Sequence, residues 1–364
     1  MAVASRRVGS RANTRERHPG GRFAGLDGLR GLAAIAVVTC HGTTGMGVTP
    51  HGSGGFIGVV VFFVLSGFLI TLVVTKRDAT AAEYRHFVCR RVQRLAPALL
   101  GLVLVLTPIL LVLGEPERDV LKDGAFALTE TTGFAQAAGV SILQPWQPTW
   151  SLTVEWTFYL LWPLGLMAAI RRGVAMDRLP RWAWMAASVL YLSGMFLSGR
   201  DFYLLPVANL GAMVAGAALA LEHRRRRFVF ARREQPDPAW GCGGTFLLVA
   251  LSVLPGSGDT WAYRLVVFPA VVASALVVVD ACATGTGVSA VLARRGLAAV
   301  GQRAYSLYLW HVPIFWLVWT NRPPWPAFAI WMIAVVAVIP VTWLSFRLLE
   351  RPWLSRDGYA ARSR

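Results

Sequence analysis

The sequence predicts an all-α fold, a polytopic membrane helix bundle of about ten transmembrane helices with both termini cytoplasmic. Three observations carry it. Of the 364 residues, 55% are hydrophobic and 15% charged, against roughly 25% charged in an ordinary soluble domain. Ten apolar runs approach the roughly 20 residues needed to cross a hydrocarbon core of ~30 Å. The basic residues cluster at alternate junctions between those runs, as short cytoplasmic loops require.

Lys and Arg number 36 against 19 acids, a net charge of +17. Such an excess suits nucleic acid, an anionic membrane face or a phosphorylated substrate. Here it sits between apolar runs and not on a soluble face, so no nucleic acid is expected as a partner. Cys40, Cys89, Cys242 and Cys282 lack CxxC spacing, so neither a metal site nor a disulfide framework is expected.

Residues 1–22 hold six arginines and almost no large apolar side chain, which reads as a disordered basic tail. The tail is too long and too charged for a signal peptide. Thr39 also stands where a lipoprotein signal ending at Cys40 would want a smaller residue. One membrane domain is expected over 23–353, followed by a cytoplasmic tail at 354–364.

The first run, 29–47, carries Arg30 and His41. Eleven residues turn a helix by about 1100°, so the two lie about 20° apart on one face and about 16.5 Å apart along it. An ionisable group within a membrane helix is costly and a functional candidate, but a snorkelling Arg and a satisfied core His explain the pair as well. Asp27 is an expected N-cap, or a partner for Arg30 three residues on. The second run, 56–75, mixes aromatics with Gly and Ser, which suits close helix packing; Ser66 stands in no G-x-S-x-G elbow.

Arg91 and Arg94 precede the third run, 95–114, three residues apart, and Pro97 suits a first turn. Such a pair can grip phosphates, or simply set topology. The polar stretch 115–149 reads as an external loop with a re-entrant or interfacial helix; the alternative is an eleventh crossing at 124–143. The fourth run, 150–170, places Glu155 about one turn inside the membrane, where a carboxylate can orient a histidine or pair with an Arg. Runs at 182–199, 203–221, 242–257 and 261–283 follow, the last with Asp280 near its end. The ninth, 301–320, holds His311 near its middle, two residues before Pro313, which bends a helix locally. The tenth, 327–349, closes on Arg347 and Glu350.

With the N-terminus inside, the clusters around Arg77, Arg172, Arg225 and Arg294 all fall on the inner side. No repeat of two related halves appears, which argues against a transporter. A non-enzymatic scaffold would not need Arg30, His41, Glu155 and His311 in apolar helices.

The segment Leu26 to Ala33 followed by His41 resembles the hallmark of the acyltransferase 3 family, an Arg and a His with ten residues between them. The run Gly55–Leu69, the Arg91-Val92-Gln93-Arg94 pair, Trp150-Ser151-Leu152 with Glu155 and Tyr159, Tyr305–Pro313 and Phe346–Pro352 are similar to its later motifs. Trp156, Thr157 and Ala304 depart from it. The resemblance implies a multi-pass plasma-membrane enzyme that moves an acyl group, commonly acetyl, from acyl-CoA to a hydroxyl of a carbohydrate or glycoside. Surface polysaccharide, cell-wall glycan or glycolipid is the expected acceptor class, with a secondary metabolite such as a macrolide as the alternative. Arg91 and Arg94 are expected to hold the donor's phosphates, with Arg30 in reach. His41 is the expected general base, oriented by Glu155, and Arg30 and His311 join the catalytic set. Direct transfer and a covalent acyl-His route stay open. No metal is expected, and the bilayer and a second copy of the chain are the other expected partners. No SGNH-type esterase domain follows the last run, so acceptor shuttling is expected to need the membrane unit alone or a partner.

Overall fold

The computed structural model describes residues 24–45, 54–229, 237–253, 260–282 and 287–354. They form α1 (Ala24–Gly45), α2 (Gly55–Val74), α3 (Ala81–Val112), α4 (Glu117–Leu128), α5 (Thr132–Ala137), α6 (Trp150–Arg171), α7 (Leu179–Gly194) and α8 (Gly199–Leu204). Then come α9 (Pro206–Val229), α10 (Pro238–Val253), α11 (Thr260–Ala281), α12 (Gly287–Leu292), α13 (Arg295–Gln302), α14 (Ala304–Thr320) and α15 (Ala327–Ser345). A 3-10 turn, Gln144–Thr149, leads into α6, and a widened turn, Phe346–Glu350, continues α15. No strand occurs among the described residues. The expected tail at 1–22, and all but the first residue of the one at 354–364, lie outside them.

Where its residues are described, each of the ten apolar runs is mostly helical, those at 203–221 and 301–320 straddling two helices. Six helical stretches are long and apolar enough to cross a membrane: Gly55–Val74, Ala81–Val112, Gln144–Arg171, Gly199–Arg225, Tyr263–Ala281 and Ala327–Leu354. The protein is therefore a multi-pass membrane protein. The other four helices have a physical reason for standing apart. Polar Asp27, Arg30, Thr39 and His41 dilute α1, while α7, α10 and α14 have only 16, 16 and 17 residues.

α2 is apolar all round and buried along most of its length, as a helix at a bundle's centre should be. Small residues let it approach α9. A Cβ on Gly67 would stand 1.8 Å from the Met213 carbonyl oxygen, and one on Gly216 would stand 2.0 Å from that of Val64. The same device seats α1 on α13, where a Cβ on Gly301 would lie 1.7 Å from the Asp27 carbonyl oxygen.

Two local expectations are corrected. Asp27 lies inside the first turn of α1 and is not its N-cap. Pro97 lies in the middle of α3, which begins at Ala81. The cap is Thr80, whose hydroxyl accepts from the Glu83 amide at 3.2 Å, and Glu83 also receives Arg77 at 2.6 Å. Thirty-two residues make α3 about 48 Å long, and Arg91 and Arg94 stand within it.

The stretch 115–149 contains no helix over the whole of 124–143; α4 and α5 fold back on each other instead. Gly124 of α4 faces Val103 and Thr107 of α3, and the Gly133 amide donates to Thr153 Oγ1 at 3.0 Å, fixing α5 on α6. Buried Asp123 accepts from the Leu143 amide at 2.7 Å and pairs with Lys122 at 3.4 Å. Asp280 is buried too, and its carboxylate accepts from the Ser289 amide at 2.8 Å, tying α12 to α11.

Candidate active site

A cavity of about 410 Å³ opens among α1, α2, α3, α6 and α14. Arg30, Arg91 and Arg94 all line it, and so do Glu155 and Tyr159. Two helices, α1 and α3, thus bring together the guanidinium groups that the sequence singled out. Arg91 lies over the rings of Phe87 and Tyr159, at 5.3 and 5.4 Å from their centroids. Aromatic faces hold a guanidinium without neutralising it. Arg94 Nε is buried with no hydrogen-bond partner, a donor left for something that enters. Two acids line the cavity with these cations, Asp27 and Glu155, and Glu155 accepts from the Tyr159 hydroxyl at 2.5 Å. The expected alliance of Glu155 with His41 is replaced by this i,i+4 pair, because α6 turns Glu155 toward the arginines.

The far end of the cavity is lined by Ser151 and Tyr308. The Tyr308 hydroxyl donates to the Pro148 carbonyl oxygen, so Ser151 Oγ, 2.7 Å away, donates to it in turn. Tyr305, one turn earlier on α14, donates to the Leu95 carbonyl oxygen at 3.2 Å. Glu350 lies nearby and accepts from the Ser306 amide at 3.1 Å.

Directly beyond Tyr308 stand the two histidines. His41 Nδ1 is 2.9 Å from His311 Nε2, with ring centroids 5.1 Å apart. His311 is wholly buried, and its Nδ1 faces the Tyr308 and Leu307 carbonyl oxygens at 2.6 and 3.2 Å. Carbonyls only accept, so His311 Nδ1 carries the proton. In the neutral ring Nε2 is then an acceptor, and His41 must donate from Nδ1. The lone pair of His41 is left on Nε2. His41 is itself exposed, so the basic nitrogen belongs to the accessible member of the pair and the orienting one to the buried member.

Sequence reasoning passed over Tyr308 and Ser151 as site residues, and read Glu130 only as part of the polar stretch 115–149. The α14 signal was there: Tyr305, Tyr308 and His311 recur at threes, the spacing of one helix face. Glu130 carried no such signal. It joins α4 to α5 at φ 56°, a left-handed conformation that disfavours side chains, and its Oε2 is buried without a partner. Burial pushes its carboxyl up to about 9, and the neighbouring Glu155 acts in the same direction. Among the described residues no group of His, Cys, Asp and Glu forms a metal site.

A family model described as an acyltransferase domain, that of acyltransferase 3, matches residues 23–347. The chain is 27% identical to the O-acetyltransferase OatA of Staphylococcus aureus, over 93% of this chain and 58% of that protein. It is 27% identical to the putative peptidoglycan O-acetyltransferase YrhL of Bacillus subtilis, over 93% of this chain and 56% of that one. The peptidoglycan O-acetyltransferase OatA of Listeria monocytogenes is 26% identical over 92% and 56%. The chain thus spans under three fifths of the length of these relatives. No solved structure matches it. With the model covering most of the chain, from before Arg30 to beyond His311, this protein belongs to the acyltransferase 3 family of membrane acyltransferases.

Proposed function

We propose that this chain is an O-acyltransferase that moves an acyl group, acetyl in the first instance, from acyl-CoA to a hydroxyl of a cell-wall glycan. The relatives' names support the acetyl group and the peptidoglycan class of acceptor. The single observation that carries the donor side is the cavity with Arg30, Arg91 and Arg94 in its wall and Tyr308 at the end next to the histidine pair. Basic junctions on alternate sides support ten crossings, with both termini and the arginine-lined mouth facing the cytosol.

In this reading the guanidinium groups hold the donor's phosphates, since planar forks suit them. The Glu155 carboxylate, held by Tyr159, offsets part of the mutual repulsion of the three cations. His41 Nε2 takes the proton of the acceptor hydroxyl as that oxygen bonds to the thioester carbonyl carbon. The C–S bond then breaks, and the departing thiolate receives the proton from His41, leaving an ester and free thiol. His311 is a positioning residue: it fixes the tautomer of His41 and touches no substrate.

The test uses full-length protein in lipid nanodiscs with radiolabelled acetyl-CoA and a muropeptide acceptor. His41→Ala is expected to lose at least about a hundredfold in transfer while eluting as folded protein. Turnover like that of the wild type would overturn the assignment.

A further inference from the structure

A second cavity, of about 490 Å³, adjoins the first on the side away from the histidines, and Gln302, Phe346 and Leu354 line both. Three more guanidinium groups edge it, Arg303, Arg347 and Arg351, and among the described residues no acid lines it. Arg303 lies over the Phe346 ring at 5.1 Å and Arg347 over the Trp343 ring at 5.0 Å. Arg303 also donates to the Ala299 carbonyl oxygen at 2.6 Å, which orients its charge without cancelling it. The acid nearest in sequence, Glu350, is buried and turned to Ser306. The widened turn Phe346–Glu350, a departure from helical winding of the kind that recurs at functional sites, sends the acid inward and leaves Arg347 and Arg351 exposed.

Arginines at a cytoplasmic helix end can serve topology alone. A topological role needs neither a concave wall nor the continuity with the first cavity. The cavity has the size of a small-ligand site, and it lies where the far end of a molecule threaded through the first cavity would emerge.

The geometry points to a phosphate-monoester subsite formed by Arg303, Arg347 and Arg351, which takes the 3′-phosphate of the donor's nucleotide while the deeper arginines take its diphosphate. This rests on acyl-CoA being the donor, as proposed above. An anionic lipid headgroup offers the same chemistry from a different source, and the test separates the two.

Acetyl transfer is measured for the full chain in phosphatidylcholine nanodiscs with acetyl-CoA and with its 3′-dephospho analogue. The wild type is expected to show a KM about tenfold higher for the analogue. Arg347→Ala/Arg351→Ala is expected to raise the KM for acetyl-CoA about tenfold, to leave that of the analogue within twofold, and to spare kcat. Arg303→Gln, on a different helix, should move the same KM alone. A double variant that still prefers the 3′-phosphate overturns the subsite. So does an activity that follows added phosphatidylglycerol in the wild type but not in the variant, since that marks a lipid site. Wild-type protein that transfers nothing from acetyl-CoA would instead refute the donor assignment, a result recognisable before any variant is made.

Discussion

His41 and His311, 270 positions apart in sequence, face each other at 2.9 Å, Nδ1 to Nε2, and the proton between them belongs to His41. The direction follows from the Tyr308 and Leu307 carbonyls behind His311. His311→Ala should therefore lower kcat by about a hundredfold, the scale of acid–base effects, because His41 is then free to take the wrong tautomer. The KM for acetyl-CoA should stay within twofold. A rise in KM with kcat intact would show that His311 shapes the donor site instead.

Arg91 lies over Phe87 and Tyr159 in the cavity wall. Arg91→Ala should weaken donor binding at least tenfold and leave acceptor saturation unchanged, measured by transfer kinetics with each substrate varied. Arg91→Lys keeps the charge but loses the planar fork, so it should recover only part of the affinity. Unchanged donor affinity in both would assign Arg91 to topology alone.

Glu130 is held at φ 56° with a buried carboxylate oxygen that has no partner. A left-handed side chain costs about 1–2 kcal/mol, and an unsatisfied polar group about 1–3 kcal/mol. Glu130→Gly removes both, and even after glycine's entropic cost it should stabilise the protein by about 1 kcal/mol in thermal unfolding. A lower midpoint would show that the carboxyl has a native partner.

The same residue sets a pH dependence. Its carboxyl titrates at about 9 in the folded protein against a usual 4.5. A raised pKa means that the folded state binds the proton more tightly, so stability is greatest below about 4.5 and declines as pH rises toward about 9. Thermal midpoints taken across that window should fall more steeply for the wild type than for Glu130→Gln. Parallel slopes would refute the buried acid.

Gly67 meets the Met213 carbonyl with no room for a Cβ. Gly67→Ala should cost about 1–3 kcal/mol through forced displacement of α9, read as a lower melting midpoint in detergent. Gly165 has open space around it, so Gly165→Ala serves as the neutral control.

The helices were legible because a bilayer demands long apolar runs, and Arg30, Arg91, Arg94 and Glu155 were legible because charge is rare within them. The start of α3 was missed because four arginines and Glu83 interrupt its first fourteen residues, which therefore form no apolar run, although Thr80 and Glu83 stand at the spacing of a capping box. The Glu155–Tyr159 pair is local, four residues apart, and legible from that spacing. The pairing of His41 with His311 and the inward turn of Glu130 depend on how distant helices and a tight turn meet. No periodicity in one chain encodes such meetings.

Two imidazoles backed by carbonyls, with no carboxylate between them, make a base that is electrically silent at rest. A charged dyad would feel the voltage across the bilayer at every moment, at about 2.3 kcal/mol per elementary charge per 100 mV for a full crossing. The His41–His311 pair presents that field with a net charge only during the brief life of an imidazolium. An energised membrane and a depolarised one therefore meet the same uncharged base, whatever the field does to the arginines.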